Sequence, residues 1–138
     1  MFLLLLIAFI GTIIPATTLA RTQNTASSKH DSPVGDWRGI SACQVKPSGC
    51  HDEDSLYHFK PGTKSEEFEL QADKVVDGKP VTMGKGPCNY NAAGHLVCPV
   101  SGSGDTLSFD VRGDEMQGTM RMADGTIWRR ISLKRVHK

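Results

Sequence analysis

Residues 106–122 read TLSFDVRGDEMQGTMRM, and their pattern decides the fold. On both sides of Gly113-Asp114, apolar and polar residues alternate with the period of two that places every second side chain on one face of a β-strand. Glycine next to aspartate is typical of a tight hairpin turn. The stretch therefore predicts two antiparallel strands that bury one face and expose the other. The buried face would carry Leu107, Phe109, Val111, Met116, Gly118, Met120 and Met122.

The same alternation recurs along most of the chain, and no segment has the 3.6-residue repeat of an amphipathic helix. Turn dipeptides separate the alternating segments at Asp77-Gly78, Ala93-Gly94 and Asp124-Gly125. We therefore expect an all-β protein: an antiparallel up-and-down meander of seven or eight strands, closed into a small barrel because closure removes exposed edges. The other predicted strands cover residues 36–44, 56–60, 67–74, 81–83 and 95–100, with a last strand that contains Ile127, Ile131 and Leu133.

The first twenty residues, MFLLLLIAFIGTIIPATTLA, are mostly apolar up to Ile14 and are then broken by Pro15. Small residues at Thr18 and Ala20 fit a signal-peptidase site, so residues 1–20 are predicted to be a cleaved signal peptide. A retained membrane anchor is the alternative, but the apolar run is shorter than the about 20 residues of a stable span. Residues 21–33 are polar and predict a flexible linker, which leaves residues 34–138 as a single β-barrel domain. The protein would be secreted or periplasmic, without a stable membrane anchor.

Four cysteines, Cys43, Cys50, Cys88 and Cys98, follow this leader. In an oxidising compartment an even number of cysteines indicates disulfides, and four cysteines allow three pairings. Both short spacings suit local bridges, so we expect Cys43–Cys50 after the first strand and Cys88–Cys98 across a hairpin. A redox or metal site is the alternative, but the chain has no C-x-x-C pair.

The two ends of the predicted barrel carry a further motif. Gly35-Asp36-Trp37 opens the first strand, and Arg129 lies on the inward face of the last strand. This arrangement resembles the lipocalin and avidin-like barrels, together called calycins, in which a G-x-W packs beneath an arginine from the final strand. The resemblance implies that Arg129 covers Trp37 and closes the barrel floor, a cation–π contact worth about 0.5–2 kcal/mol. The chain is shorter than true lipocalins and lacks their C-terminal helix, which argues against a large ligand.

The resemblance also implies a binding protein for a small apolar molecule held in the mouth of the barrel, without a cofactor. The methionines, Met83 among them, would fill the core or give such a pocket an adaptable lining. The residues that would line or floor the site are Trp37, Tyr57, Phe109, Met120 and Arg129.

A protein-interaction barrel is the alternative function. Small disulfide-containing periplasmic barrels include lysozyme inhibitors, which this chain resembles in size, export and cysteine count. Asp52, Glu53 and Asp54 would then face the basic cleft of an extracellular enzyme.

Other functions have less support in the sequence. No serine or cysteine has the context of an activated nucleophile, so the protein is not predicted to be an enzyme. His51 and the acids beside it, with His58, are candidates for binding a divalent ion, but their spacing does not force them together and no metal is predicted. A net charge of +1 without interleaved aromatic residues argues against nucleic acid. We expect a monomer.

Overall fold

The computed structural model describes residues 31–137, so the predicted signal peptide and residues 21–30 of the predicted linker lie outside the described residues. Eight antiparallel strands pair in chain order, and the last pairs with the first to close a barrel. This confirms the all-β meander predicted from the sequence. Between residues 31 and 137 no helix is long and apolar enough to cross a membrane. The strands are β1 Gly35–Cys43, β2 Glu53–Pro61, β3 Glu67–Val76, β4 Lys79–Tyr90, β5 Leu96–Pro99, β6 Thr106–Arg112, β7 Glu115–Arg121 and β8 Ile127–Arg135.

Apolar side chains from every strand fill the barrel interior. The alternation places them there, as in the β6–β7 hairpin, where Phe109 pairs with Gly118 and Val111 with Met116. A Cβ atom at Gly118 would collide with the Phe109 ring, so this glycine allows the ring to lie against β7. The buried core consists of Trp37, Tyr57, Phe59, Phe68, Leu70, Ala72, Cys88, Leu96, Cys98, Phe109, Met116, Ile131 and Leu133.

One end of the barrel, which we call the closed end, is sealed by Trp37 and Arg135. The Arg135 guanidinium lies 4.2 Å from the centroid of the Trp37 ring. The buried indole donates from Nε1 to the Pro33 carbonyl oxygen at 2.7 Å. Arg135 donates to the carbonyl oxygens of Val34 at 2.6 Å and Ser32 at 3.0 Å. A cation–π contact and these hydrogen bonds hold the chain before β1 across the closed end.

The sequence predicts Arg129 as the cation over Trp37, and this prediction is wrong. The antiparallel register of β1 and β8 pairs Trp37 with Arg135 and Cys43 with Arg129. The two arginines are six residues apart, which is about 20 Å of extended strand. Both share the inward face of β8, so the alternation of the sequence alone does not distinguish them.

The described end of the predicted linker, residues 31–33, also contacts the closed end. Tyr90 donates its hydroxyl to the Asp31 carbonyl oxygen at 2.6 Å, and the Gly113 amide donates to the Asp31 carboxylate at 2.7 Å. Pro33 is fully buried. These three residues therefore pack with the barrel.

Both predicted disulfides form, Cys43–Cys50 and Cys88–Cys98. The first closes the loop between β1 and β2. The second joins β4 to β5, which share only two paired positions, at Asn89 and Tyr90 of β4. A covalent link therefore supports the part of the barrel wall that has the fewest paired residues. The two bridges are consistent with an oxidising environment.

Replacing Arg135 by methionine should lower the free energy of unfolding by about 1–3 kcal/mol, because the variant loses the cation–π contact and the hydrogen bonds to the chain before β1. Arg130→Met is the matched control, since Arg130 is exposed on the outer face of the same strand. It should change the free energy by about 0.5 kcal/mol or less. Urea unfolding followed by circular dichroism measures both variants, and equal losses would contradict the proposed role of Arg135.

Candidate functional site

The barrel wall between β4 and β5 is open over most of its length. Only the first two residues of β5, Leu96 and Val97, pair with β4. Apart from Met83, residues 79–88 of β4 pair with β3 on one side, and none of these ten residues has a β5 partner on the other. Pro80 and Pro87 suit such an edge, because proline has no N–H to donate to a neighbouring strand. The barrel therefore has a lateral opening.

A cavity of about 80 Å³ lies at this opening, and we call it the lateral slot. A single water molecule needs about 10–15 Å³ of such space, so the slot has room for a group of a few heavy atoms. Side chains of β3, β5 and β6 and the bare backbone of β4 make its walls mainly apolar. The residues that line the slot are Leu70, Ala72, Gly84, Lys85, Gly86, Cys98, Pro99, Val100, Ser101 and Leu107.

Two glycines, Gly84 and Gly86, form the β4 wall of the slot. Glycine within a strand is destabilising by roughly 0.5–1 kcal/mol relative to alanine. A Cβ atom at Gly84 would have no atom within 4 Å, and one at Gly86 would meet only the Pro99 carbonyl oxygen at 3.6 Å, an ordinary contact. Neither glycine has a positive φ. Packing and backbone conformation within residues 31–137 therefore do not require glycine here, which leaves the close approach of a ligand as a reason for it.

A β-bulge shapes the same wall. The β3–β4 register shifts after Ala72, which pairs with Gly84, to Asp73, which pairs with Thr82, and Met83 is left as the extra residue. The expectation that Met83 fills the core is wrong, because this residue of the bulge is 46% exposed. The bulge does not require glycine at position 84, because the positive φ that a G1 bulge needs is absent there.

The five residues predicted to line a ligand site do not meet at one cavity. Trp37 belongs to the closed end, while Tyr57 and Phe109 form an edge-to-face pair in the core with ring centroids 6.0 Å apart. Met120 pairs with Arg129 towards the opposite end of the barrel. None of the five lines the lateral slot, and their role in binding stays a prediction.

The end opposite Trp37, which we call the polar end, is organised by Arg129. Its guanidinium donates to the carbonyl oxygens of Ser41 at 3.1 Å and His51 at 3.2 Å. It also lies 3.3 Å from the Glu53 carboxylate. Arg129 therefore joins β1, β2 and β8 through contacts within the chain, and its charge is compensated by Glu53.

The acids predicted to face a protein partner are Asp52, Glu53 and Asp54. Asp52 accepts a hydrogen bond from the Cys43 amide at 2.9 Å, and Glu53 is the partner of the arginine at the polar end. Asp54 accepts two hydrogen bonds from Arg38, at 2.7 and 3.2 Å, and these bonds lower the pKa of the Asp54 carboxyl. A basic partner would compete with these contacts. The role of the three acids in recognition stays a prediction.

The alternative of a metal site around Cys50 and His51 finds no supporting geometry. Cys50 is in a disulfide, and the His51 carbonyl oxygen accepts a hydrogen bond from Arg129. In the described part of the chain, no three metal-ligating side chains come together.

A groove of about 480 Å³, larger than the lateral slot, lies on the outer wall across β1, β8, β7 and β6. Its polar side chains contact each other: Gln117 donates to Ser132 at 2.9 Å, and His95 Nδ1 is 2.7 Å from Asp110. A shallow saddle of this kind follows from the twist of a sheet. We therefore take the smaller, apolar lateral slot as the candidate site.

Comparison of the chain with protein-family models, with curated proteins and with solved structures finds no match. The description of the slot as a candidate site therefore rests on its own residues and geometry. The sequence does contain a signal for it, which is Gly84-Lys85-Gly86 directly after the predicted strand 81–83. Two glycines at alternate positions of a strand keep one face free of side chains. In a sequence, however, glycine is a signal for turns, so the pattern predicts that the strand ends there.

The pKa of Tyr57 provides a test of the packed interior. Burial raises this pKa from 10.0 to about 12, although the positive charge of Arg129 opposes the increase. A folded-state pKa above the unfolded value means that the stability from neutral Tyr57 is intact below about pH 10 and is lost as the pH rises through about 12. The chain has two tyrosines, so Tyr90→Phe leaves Tyr57 as the one phenol.

An absorbance titration of Tyr90→Phe should therefore show phenolate formation near pH 12 in the folded protein and near pH 10 in urea. Tyr57→Phe should lose less of its free energy of unfolding than the wild type between these two pH values. A folded-state titration of Tyr57 near pH 10 would contradict its position in the core.

Proposed function

We propose that this chain is an exported, calycin-like binding protein whose lateral slot takes a small apolar group. The observation that carries the proposal is the pair Gly84 and Gly86, whose missing side chains leave space that no described residue uses. Export is supported by the apolar leader and by the two disulfides. The protein would act as a monomer in the periplasm or outside the cell.

The slot, and not the centre of the barrel, is the place for the ligand in this proposal. Phe59, Phe109 and Leu133 are almost completely buried and occupy the barrel interior. Space for a ligand then exists where the wall is open, between β4 and β5. Burial of apolar surface would supply the affinity at about 25 cal/mol per Å², so a ligand of a few heavy atoms would bind weakly on its own. A larger molecule would place one apolar group in the slot.

Filling the slot with a side chain of the protein should abolish binding. Gly84→Leu places a side chain where no atom lies within 4 Å, so the variant should fold as the wild type does. Toluene is the probe, and the chemical shifts of Ala72 and Leu107 report on binding. We expect saturable shifts in the wild type and at least a tenfold lower affinity in Gly84→Leu.

Gly49→Leu is the matched control. Gly49 also has open space around the position of a Cβ atom and no positive φ, but it lies in the loop of the first disulfide. This variant should bind toluene as the wild type does. Equal binding by Gly84→Leu and the wild type, or no saturable shifts in the wild type, would exclude the slot as a ligand site.

A protein-interaction barrel, such as an inhibitor of a lysozyme-type enzyme, is the second candidate. It is favoured by the β3–β4 hairpin, which carries three of the five exposed large apolar side chains among the described residues: Val76, Val81 and Met83. Lys79 and Lys85 on the same hairpin are exposed, so this surface would contact an enzyme through its apolar side chains and would not match a basic cleft. Inhibition of a lysozyme that is lost in Met83→Asp and unchanged in Gly84→Leu would favour this candidate over ligand binding.

A further inference from the structure

A histidine on the outer wall joins two carboxylates next to the slot. His58 on β2 has Nδ1 2.8 Å from the Asp36 carboxylate on β1 and Nε2 3.3 Å from the Asp73 carboxylate on β3. Gln71 donates to both oxygens of Asp73 at 3.2 Å. We call Asp36, His58 and Asp73 the histidine bridge, because it connects the first three strands.

Both ring nitrogens of His58 face acceptors. A neutral imidazole donates from one nitrogen and presents a lone pair at the other, whereas the imidazolium donates from both. The histidine bridge is therefore complete only when His58 carries a proton. Histidine is also the side chain that ordinarily changes its charge between about pH 5 and 8.

Asp73 depends on the bridge more than Asp36 does. The Asp73 side chain is 4% exposed, whereas the Asp36 side chain is 30% exposed and can exchange a lost partner for water. A neutral His58 would keep its proton on Nδ1, which makes the shorter contact, to Asp36. The lone pair of Nε2 would then face the Asp73 carboxylate. Of the side chains that the structure describes, Gln71 would then be the one donor to the buried Asp73 carboxylate. A buried charge with too few partners is costly.

Asp73 is also part of the bulge that forms the slot. Ala72, the residue before it, lines the slot and pairs with Gly84 in the opposite wall. Gln71 makes a second contact to the hydroxyl of Thr82, 3.3 Å away, and Thr82 pairs with Asp73. Pairing and hydrogen bonding therefore link the Asp73 carboxylate to the bulge and to both walls of the slot.

Other charged groups face His58 from each neighbouring strand. Lys60 on β2, Glu69 on β3 and Lys85 on β4 line a groove together with His58. On β1, Arg38 is paired with Asp54 at 2.7 Å. The lysines oppose a proton on His58 and Glu69 favours it. Among residues 31–137, the charged groups within hydrogen-bonding or ion-pair distance of the ring are the two carboxylates of the bridge.

We propose that protonation of His58 controls the lateral slot. The slot has the described form while His58 is protonated and is distorted when the ring loses that proton. Because coupling is reciprocal, a group bound in the slot favours the protonated form of His58. This inference rests on the proposed function, since the slot is the binding site proposed there.

Nuclear magnetic resonance of the ligand-free protein tests the coupling between His58 and the slot. The amide signals of Ala72 and Gly84 should titrate with the midpoint of the His58 ring. In Asp73→Asn these amides should not respond, because asparagine donates to a neutral ring and still accepts from Gln71. If the amide signals of Ala72 and Gly84 do not change when His58 loses its proton, the proposal is overturned. This test requires no ligand.

His95→Gln is the control for a general effect of histidine charge. His95 Nδ1 lies 2.7 Å from the Asp110 carboxylate, and both side chains are about half exposed. The pair therefore resembles the contact between His58 and Asp36, but it has no buried carboxylate like that of Asp73. The variant should leave the pH response of Ala72 and Gly84 unchanged. Loss of the response in His95→Gln would overturn the assignment to His58.

Toluene binding at about pH 5.5 and about pH 8 measures the consequence for the site. We expect the wild type to bind toluene at least about fivefold more tightly at the lower pH, since fivefold is the lower limit of the changes in affinity that coupling between two sites commonly produces. Asp73→Asn should bind toluene with the same affinity at both pH values. Equal affinity of the wild type at both pH values overturns the pH control and leaves the proposed function standing. No binding at either pH, with amides that still follow His58, overturns the proposed function and supports the coupling.

Discussion

The closure of β8 against β1 is the constraint on which the rest of the structure depends. Its register places Arg135 over Trp37, 4.2 Å from the ring, and brings the chain before β1 across one end of the barrel. With that end closed and the centre filled by aromatic side chains, the barrel is weakest where the short β5 meets β4. The disulfide Cys88–Cys98 holds this part of the wall, and the lateral slot lies beside it. The slot thus lies where the pairing between neighbouring strands is shortest.

The sequence predicts the fold well because alternation is a local property. The strands, the turn at Asp77-Gly78 and both disulfides follow from residues that are near each other in the chain. The register between the first and last strands is not local. Arg129 and Arg135 have the same parity on β8, and only the paired positions decide which of them reaches Trp37.

The candidate site was harder to predict for a related reason. Gly84 and Gly86 lack the side chains on which a periodic pattern is based, so the pattern predicts only residues 81–83 of a strand that extends over Lys79–Tyr90. The bulge after Ala72 also reverses the expected face of Met83. The slot comes from missing side chains, a register shift and a gap in strand pairing. The histidine bridge likewise joins residues that are 15 and 22 positions from His58 in the chain.

A crystal structure determined under xenon pressure is the most direct test of the slot as an apolar binding site. Xenon occupies dry apolar cavities in proteins without forming hydrogen bonds. We expect a xenon atom between Ala72, Gly84 and Leu107, in a barrel that is otherwise unchanged. A slot that is filled by Met83 or Val100 of the protein itself, with no xenon in it, would contradict the proposal that this space is kept open for a ligand.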